Sequence, residues 1–317
     1  MNVEVVKPGL LSTLQDRGRH GAAMLGVGTA GAMDDVALRL ANALAGNGAD
    51  AAALEITLIG PRLRFDAATT IALAGAGFHA QIGGDPVPMW QAVAVERGAV
   101  LDIGTARHGA RAYLAIAGGF LVDATLGSAS TDVNARLGGH VLKAGDRLTA
   151  GAPTVRKDAS PRWSLDPRPW FDADAAHSIR LIRGTHFDAL DAASRRALFE
   201  REFLIGNESN RVGFRLEGPA LALGTPIEMV SEPLATGTLQ LPPDGQPIAL
   251  MVEHPTVGGY PRIGQVAAVD LPRLAQRRPG ESVRFEEIDL AAAQTRYLER
   301  ERALDELIDA IRERLSA

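Results

Sequence analysis

The stretch Leu54-Glu-Ile-Thr-Leu-Ile-Gly-Pro-Arg-Leu-Arg-Phe65 decides the fold class. Leu54, Ile56 and Leu58 recur at the period of two that belongs to a β-strand, Gly60-Pro61 marks a turn, and residues 62–65 read as the next strand. Outward from this segment, short apolar runs punctuated by Gly and Pro recur at residues 3–6, 70–74, 100–103 and 113–117. Their spacing predicts a mainly β protein built of barrels or sandwiches. Helical periodicity is confined to three places. Met33, Val36, Ala37, Leu40, Ala41 and Leu44 fall on one helical face, with Asp34 and Asp35 in the first turn and Gly46 as a stop, so this helix should plug a sheet. A second helix is expected over residues 188–202. A long charged one runs from Asp289, with Ala293, Tyr297, Leu304, Leu307 and Ile311 on one side, as a bracket or a partner surface.

The opening stretch returns later in the chain. Leu58-Ile-Gly-Pro-Arg-Leu63 is echoed by Leu216-Glu-Gly-Pro-Ala-Leu221, and Gly84-Asp-Pro-Val-Pro88 by Pro243-Asp-Gly-Gln-Pro247. Glu96-Arg-Gly-Ala-Val100 then parallels Pro279-Gly-Glu-Ser-Val283 at a larger offset, so about 24 extra residues enter the second copy, in the interval that holds Glu253-His-Pro-Thr-Val-Gly-Gly-Tyr260. An insertion on a repeated scaffold is a natural place for loop-borne function. Between the copies, Pro153, Pro161, Pro167 and Pro169 cluster with charges. The expected organisation is a first β-barrel domain over 1–150, a linker over 151–177, a second barrel over 178–287 and a C-terminal helix over 288–317.

Composition excludes several chemistries. The 317 residues contain no cysteine, which removes disulfides, cysteine-ligated zinc and thiol nucleophiles. A net charge of −5 without a basic run speaks against nucleic acid as a partner. The start Met1-Asn-Val-Glu-Val-Val-Lys-Pro-Gly9 lacks the basic and apolar regions of a signal peptide, and no apolar stretch of about 18 residues follows, so a cytoplasmic protein with no membrane association is expected. The seven histidines include no pair at helical ligand spacing, and no metal site is expected. Lysine occurs only as Lys7, Lys143 and Lys157; Lys143 lies between Leu142 and Ala144 rather than two methionines, so the chain should carry no covalent biotin.

The run Gly26-Val-Gly-Thr-Ala-Gly31 matches a dinucleotide fingerprint by letter, but the residues before it form no strand; it reads as a turn into a helix N-terminus able to hold an anion. Gln15-Asp-Arg-Gly-Arg19, Gly127-Ser-Ala-Ser-Thr131 and the segment around Arg211 mix fork-shaped donors or hydroxyls with glycine. Arg17, Arg111 and Arg211 can clamp a planar oxyanion, or else tie loops by pairing with Asp16, Asp123 or Glu208. Glu253 and His254, adjacent titratable groups, end the apolar run 248–252, and a strand should deliver them to an open loop. There Gly258 and Gly259 would let backbone N–H groups approach an oxyanion, and Tyr260 would offer a phenolic donor.

At these motifs, together with Gly31-Ala-Met-Asp34, Leu54-Glu-Ile-Thr57, Gln240-Leu-Pro-Pro-Asp-Gly245 and Gly258-Gly-Tyr-Pro261, the chain resembles the allophanate hydrolase subunit 2 family, also called the biotin-dependent carboxyltransferase family, whose bacterial members include 5-oxoprolinase subunits. The resemblance implies two cyclophilin-like β-barrel domains and an allophanate hydrolase subunit 1-like partner, with a third lactam-utilisation subunit. It implies ATP-dependent opening of 5-oxoproline to glutamate. The alternatives are carboxyl transfer to urea with a biotin carboxylase, or a regulatory protein that antagonises a kinase inhibitor. In such an enzyme Glu253 or His254 would act as acid/base, Tyr260 would stabilise an oxyanion with Gly258 and Gly259, and Arg17, Arg211, Ser128, Ser130, Thr131, Thr256, Gly258 and Gly259 would hold substrate or phosphate, ATP being bound here or on a partner. The family's Asp-x-Gln-Thr-Thr-Gly-Gly-Tyr run reads Glu253-His-Pro-Thr-Val-Gly-Gly-Tyr260 here, which leaves the identity of the small amide open.

Overall fold

The computed structural model describes residues 1–152, 163–170 and 178–316, so much of the expected linker lies outside the described residues. The chain divides into two compact units. One contains Met1–Arg19, Ala30–Ala173 and Ala303–Ala317; the other contains His20–Thr29 and Asp174–Arg302. The mainly β reading holds in both.

In the first unit the opening stretch forms strands Ala53–Thr57 and Arg62–Phe65, as its alternation requires. They belong to a nine-stranded sheet curved as a half-barrel. Strand Ala53–Thr57 pairs antiparallel with Leu11–Gln15 on one side and with Val100–Ile116 on the other. The two short strands expected at 100–103 and 113–117 are one strand of 17 residues, paired with the 14-residue strand Thr69–Ile82. Its middle is exposed, so no apolar alternation marks the continuity, and register shifts between Gly75 and Ala80 bend the pair. Helix α1 (Asp35–Leu44) opens on Asp34, whose carboxylate caps Ala37 N at 3.0 Å, and closes before Gly46 at φ +77°. Its Leu38, Leu40 and Leu44 are buried among Ala53, Ala72, Ala74 and Ala115, small strand residues that let the helix lie close on the sheet. Each such leucine contributes about 1.5–3 kcal/mol.

The second unit is a closed seven-stranded barrel. In order around it run Ser178–Arg183, Arg262–Val266, Thr238–Gln240, Ile248–Leu250, Gly213–Glu217, Glu202–Ile205 and Ser282–Glu287, and the ring closes through a parallel pairing of Ser178–Arg183 with Ser282–Glu287. Alternate residues fill its interior, among them Ile179, Leu181, Phe203, Phe214, Leu216 and Phe285. The helix expected over 188–202 is shorter: α2 (Ala192–Glu200) follows a 3₁₀ turn at Phe187–Ala189, and residues 202–205 join the barrel. A short helix, α3 (Leu271–Ala275), follows Asp270, which has no solvent exposure and takes both Arg180 Nε at 2.7 Å and Arg180 Nη2 at 2.6 Å. This bidentate pair fixes the first barrel strand.

The echoed motifs occupy matching places. Gly60 follows a strand paired antiparallel with the strand before it, and so does Gly218. A Cβ at Gly60 would stand 2.3 Å from Ile103 Cγ2, and one at Gly218 would stand 2.6 Å from Phe203 Cδ1, so close packing demands glycine in both. The terminal segment forms helix α4 (Leu290–Ser316). In the first unit its Leu304, Ile308 and Ile311 are buried in the cluster that contains α1, and Arg39 Nη2 donates to Asp305 at 2.8 Å. At this end the helix is thus part of a core, as the bracket reading expects.

Candidate active site

The second unit holds the residues singled out most strongly by sequence. Beyond strand Ile248–Leu250 the chain runs back beside residues 211–212: Met251 N donates to Val212 O and Glu253 N to Arg211 O, each at 2.9 Å. These bonds bring Glu253 against Arg211, whose Nε donates to Glu253 Oε1 at 2.5 Å. The two side chains, of Arg211 and Glu253, are 4% and 1% exposed. Glu253 is therefore a buried carboxylate, not one on an open loop, because the backbone pairing pulls it under the surface. Arg211 makes its ion pair with Glu253, while Glu208 meets Arg215 at 3.3 Å.

His254 follows and is also buried. Its Nδ1 lies 2.8 Å from Pro255 O; a carbonyl only accepts, so Nδ1 carries the proton and Nε2 carries the lone pair. Burial disfavours the imidazolium and moves the group below its usual 6.5, outweighing the Pro255 bond, which acts in the opposite sense. The result is a neutral base. Among the described residues no hydrogen bond engages its Nε2.

Strand Val257–Gly258 pairs with Glu232–Pro233 in a small ribbon, and the Thr256 carbonyl accepts from Leu234 N at 3.0 Å. Neither Gly258 nor Gly259 adopts a left-handed φ, so the expected need for special backbone geometry is corrected. Gly258 is instead a place of close approach: a Cβ there would stand 2.7 Å from Leu234 Cδ1 and 3.1 Å from Gln240 Nε2. Tyr260 is 47% exposed, a phenol at the surface.

The first unit builds a separate cluster. The Asp16 carboxylate accepts from Gly18 N at 2.7 Å, Ala129 N at 2.7 Å, Ser128 Oγ at 2.6 Å and Ser130 Oγ at 2.5 Å. Burial would raise its pKa, but the serine and amide bonds outweigh burial and hold it below the usual carboxylate value. Ser128 and Ser130 thus donate to a side chain of the protein. Thr131 is buried beside them, with its N donating to Leu14 O at 2.9 Å. Arg17 is half-exposed and meets Asp50 at 3.4 Å, not Asp16. Arg111 is buried in the long strand.

The N-terminus of α1, expected to be able to hold an anion, holds one of the protein's own. Glu55 Oε2 accepts from Met33 N at 2.9 Å and from Tyr113 Oη at 2.6 Å, and Tyr113 Oη accepts from Asp34 N at 2.8 Å. Burial, then the nearby carboxylates, drive the Tyr113 phenol well above its usual range. With Glu55 there, the Gly26–Gly31 run does not fit a nucleotide phosphate. Arg17, Ser128, Ser130 and Thr131 belong to one unit, and Arg211, Glu253, His254, Thr256, Gly258, Gly259 and Tyr260 to the other.

Residues 25–287 match the model of the carboxyltransferase domain, subdomain A and B. The chain belongs to this family. It is 36% identical to the 5-oxoprolinase C subunit of Escherichia coli over 94% of its own length and 96% of that protein. It is 31% identical to urea amidolyase of Lachancea kluyveri over 96% of its length, spanning 18% of that protein. The solved urea carboxylase of Kluyveromyces lactis superposes with a TM-score of 0.87 at 27% identity, over all of this chain and 30% of that one. This carboxyltransferase-family chain is thus close to one relative's full length and a fraction of the other two.

Sequence reasoning gave Asp16 only as a possible partner for an arginine and gave Glu55 no role, although both are buried and each stands inside a quoted motif. Among the described residues no helix is long and apolar enough to cross a membrane.

Proposed function

We propose that this chain belongs to an ATP-dependent 5-oxoprolinase-like complex that opens a small lactam, 5-oxoproline, to glutamate. The observation that carries the reading is the near full-length match, in both directions, to the 5-oxoprolinase C subunit. His254 takes the base role in preference to Glu253, whose carboxylate is held by Arg211. His254 Nε2 accepts the ring N–H proton, and the electron pair left on nitrogen delocalises onto the carbonyl oxygen. The amide becomes a nucleophile at oxygen or nitrogen. ATP is assigned to a partner, an allophanate hydrolase subunit 1-like chain, and a third lactam-utilisation subunit joins them in the cytoplasm. Likeness to urea carboxylase favours a second reading, since the same proton removal from urea prepares nitrogen to receive a carboxyl group.

The test is turnover of 5-oxoproline and ATP by the chain alone and by the complex with its partners. The chain alone should be inactive and the complex active, with His254→Ala slowing it by about 10²–10⁴-fold. The acid limb of the pH profile should lie below 6.5, because the base must be neutral and its pKa is lowered. The same shift means that stability is present above 6.5 and is lost as pH falls from there through the folded value. Turnover by the isolated chain, or parent activity in His254→Ala, refutes the reading.

A further inference from the structure

We propose that residues 225–236 form a lid on the candidate active site, closed in this structure and latched by Glu232 on Arg262, that lifts before a substrate reaches His254. The proposal deepens the reading above and rests on it for the role of His254.

His254 is 6% exposed, although among the described residues no hydrogen bond engages its Nε2. A base shielded in this way takes a proton from a substrate only after something beside it moves. The backbone that follows it is occupied as well. Residues 231–234 run antiparallel along residues 256–259: Leu234 N donates to Thr256 O at 3.0 Å, Pro233 stands opposite Val257 and Glu232 opposite Gly258, and a Cβ at Gly259 would stand 3.7 Å from Ser231 Oγ. The edge that sequence assigns to an oxyanion is therefore covered by the protein's own chain. At Gly258 the cover lies flush, since a Cβ there would stand 2.7 Å from Leu234 Cδ1.

The covering segment is lightly held. Its ends are fixed to the barrel: Gly224 N donates to Ala189 O at 2.8 Å and Gly237 N to Leu250 O at 2.7 Å. Between them no residue is buried, Val230 is 77% exposed, and among the described residues 226–231 make no hydrogen bond. Before the turn at residues 235–237, what holds the segment is the short ribbon, the Leu234 bond and Arg262. The Arg262 Nη2 donates to the Glu232 carboxylate and its Nη1 to Pro233 O at 3.3 Å. These side chains, of Arg262 and Glu232, are 24% and 41% exposed, and an ion pair so open to water contributes little. The buried Arg211–Glu253 pair of the same unit is a lock; this one is a latch. Few buried contacts and exposed backbone bonds place a segment at the low-stability end of a fold, from which active-site lids are drawn.

The test uses the absence of cysteine from the chain. Opposite residues of an antiparallel pair come within disulfide reach, so Pro233→Cys with Val257→Cys ties the lid shut when oxidised and frees it when reduced. The readout is carbethoxylation of His254 by diethyl pyrocarbonate in the full chain, followed by peptide mass spectrometry, with the exposed His140 as internal control. His254 should react in the parent and in the reduced variant, and about 10-fold or more slowly in the oxidised variant, with His140 unchanged. Glu232→Gln should quicken the reaction at His254 by about 2- to 5-fold. Equal labelling of His254 in the oxidised and reduced forms overturns the proposal, as does a His254 that reacts in none of them. A Glu232→Gln rate no higher than that of the parent overturns the latch. In the assembled complex the oxidised variant should lose turnover of 5-oxoproline and recover it on reduction; full turnover with the lid tied shut overturns the proposal too. A parent complex without turnover sinks the proposed function, while the labelling of His254 still decides on the lid.

Discussion

Glu253→Gln separates a buried structural charge from a loop carboxylate by the size of its effect. Glu253 and Arg211 are 1% and 4% exposed on their side chains, with Nε and Oε1 at 2.5 Å. Removing the carboxylate charge leaves the guanidinium buried without its counterion, and breaking such a pair costs about 3–5 kcal/mol. A carboxylate on an open loop would cost no more than about 0.5 kcal/mol. The two costs differ several-fold, well beyond experimental error. At roughly 2–4 °C per kcal/mol for a unit of this size, the melting transition of the barrel should fall by about 6–20 °C, followed by circular dichroism. The double variant Arg211→Met, Glu253→Met removes both charges and should recover much of the loss, because a desolvated pair replaced by apolar side chains of similar volume is near neutral. A Glu253→Gln protein within about 0.5 kcal/mol of the parent refutes the reasoning and returns Glu253 to a purely chemical role.

Two further outcomes follow from the first unit. Leu304→Ala should cost about 2–5 kcal/mol in urea unfolding, since Leu304 has no exposure and belongs to the α1 cluster; a loss under about 1 kcal/mol would show that α4 does not contribute to this core. Asp16→Asn should abolish an acid-dependent part of the stability: the Asp16 pKa is lowered from 3.8, so its contribution is present above 3.8 and lost as pH falls through the folded value, and parent and variant unfolding curves that keep a constant separation across that window would contradict it.

Some of this protein was legible in the chain. Leu54 and Ile56 fix a strand because the pleat sends successive side chains to opposite faces, though it ends at Thr57 and Leu58 turns out of it at φ +59°, and the 3.6-residue recurrence from Val36 to Leu44 fixes α1 for the same kind of reason. The Gly-Pro echo marked two copies of one local packing demand, visible because no side chain fits at Gly60 or Gly218. Motif order carried the family. Adjacent Glu253 and His254 were legible as titratable neighbours at a strand end. Their division of labour was not, since one pairs with a residue 42 positions earlier and the other with the next carbonyl.

Partnership across the chain is what only the tertiary structure decides. Sequence gives each side chain its chemistry, yet burial and hydrogen-bond supply, which set whether a carboxylate is a lock or an acid, depend on groups brought close by folding. Ser128 and Ser130 read as ligand donors until Asp16, 112 and 114 residues away, takes their hydroxyls. The α1 N-terminus read as an open anion site until Glu55 was found in it. Gln265 is a further case: its Nε2 reaches Thr236 O and its Oε1 takes the Thr238 hydroxyl, partners that only the closed barrel brings to it.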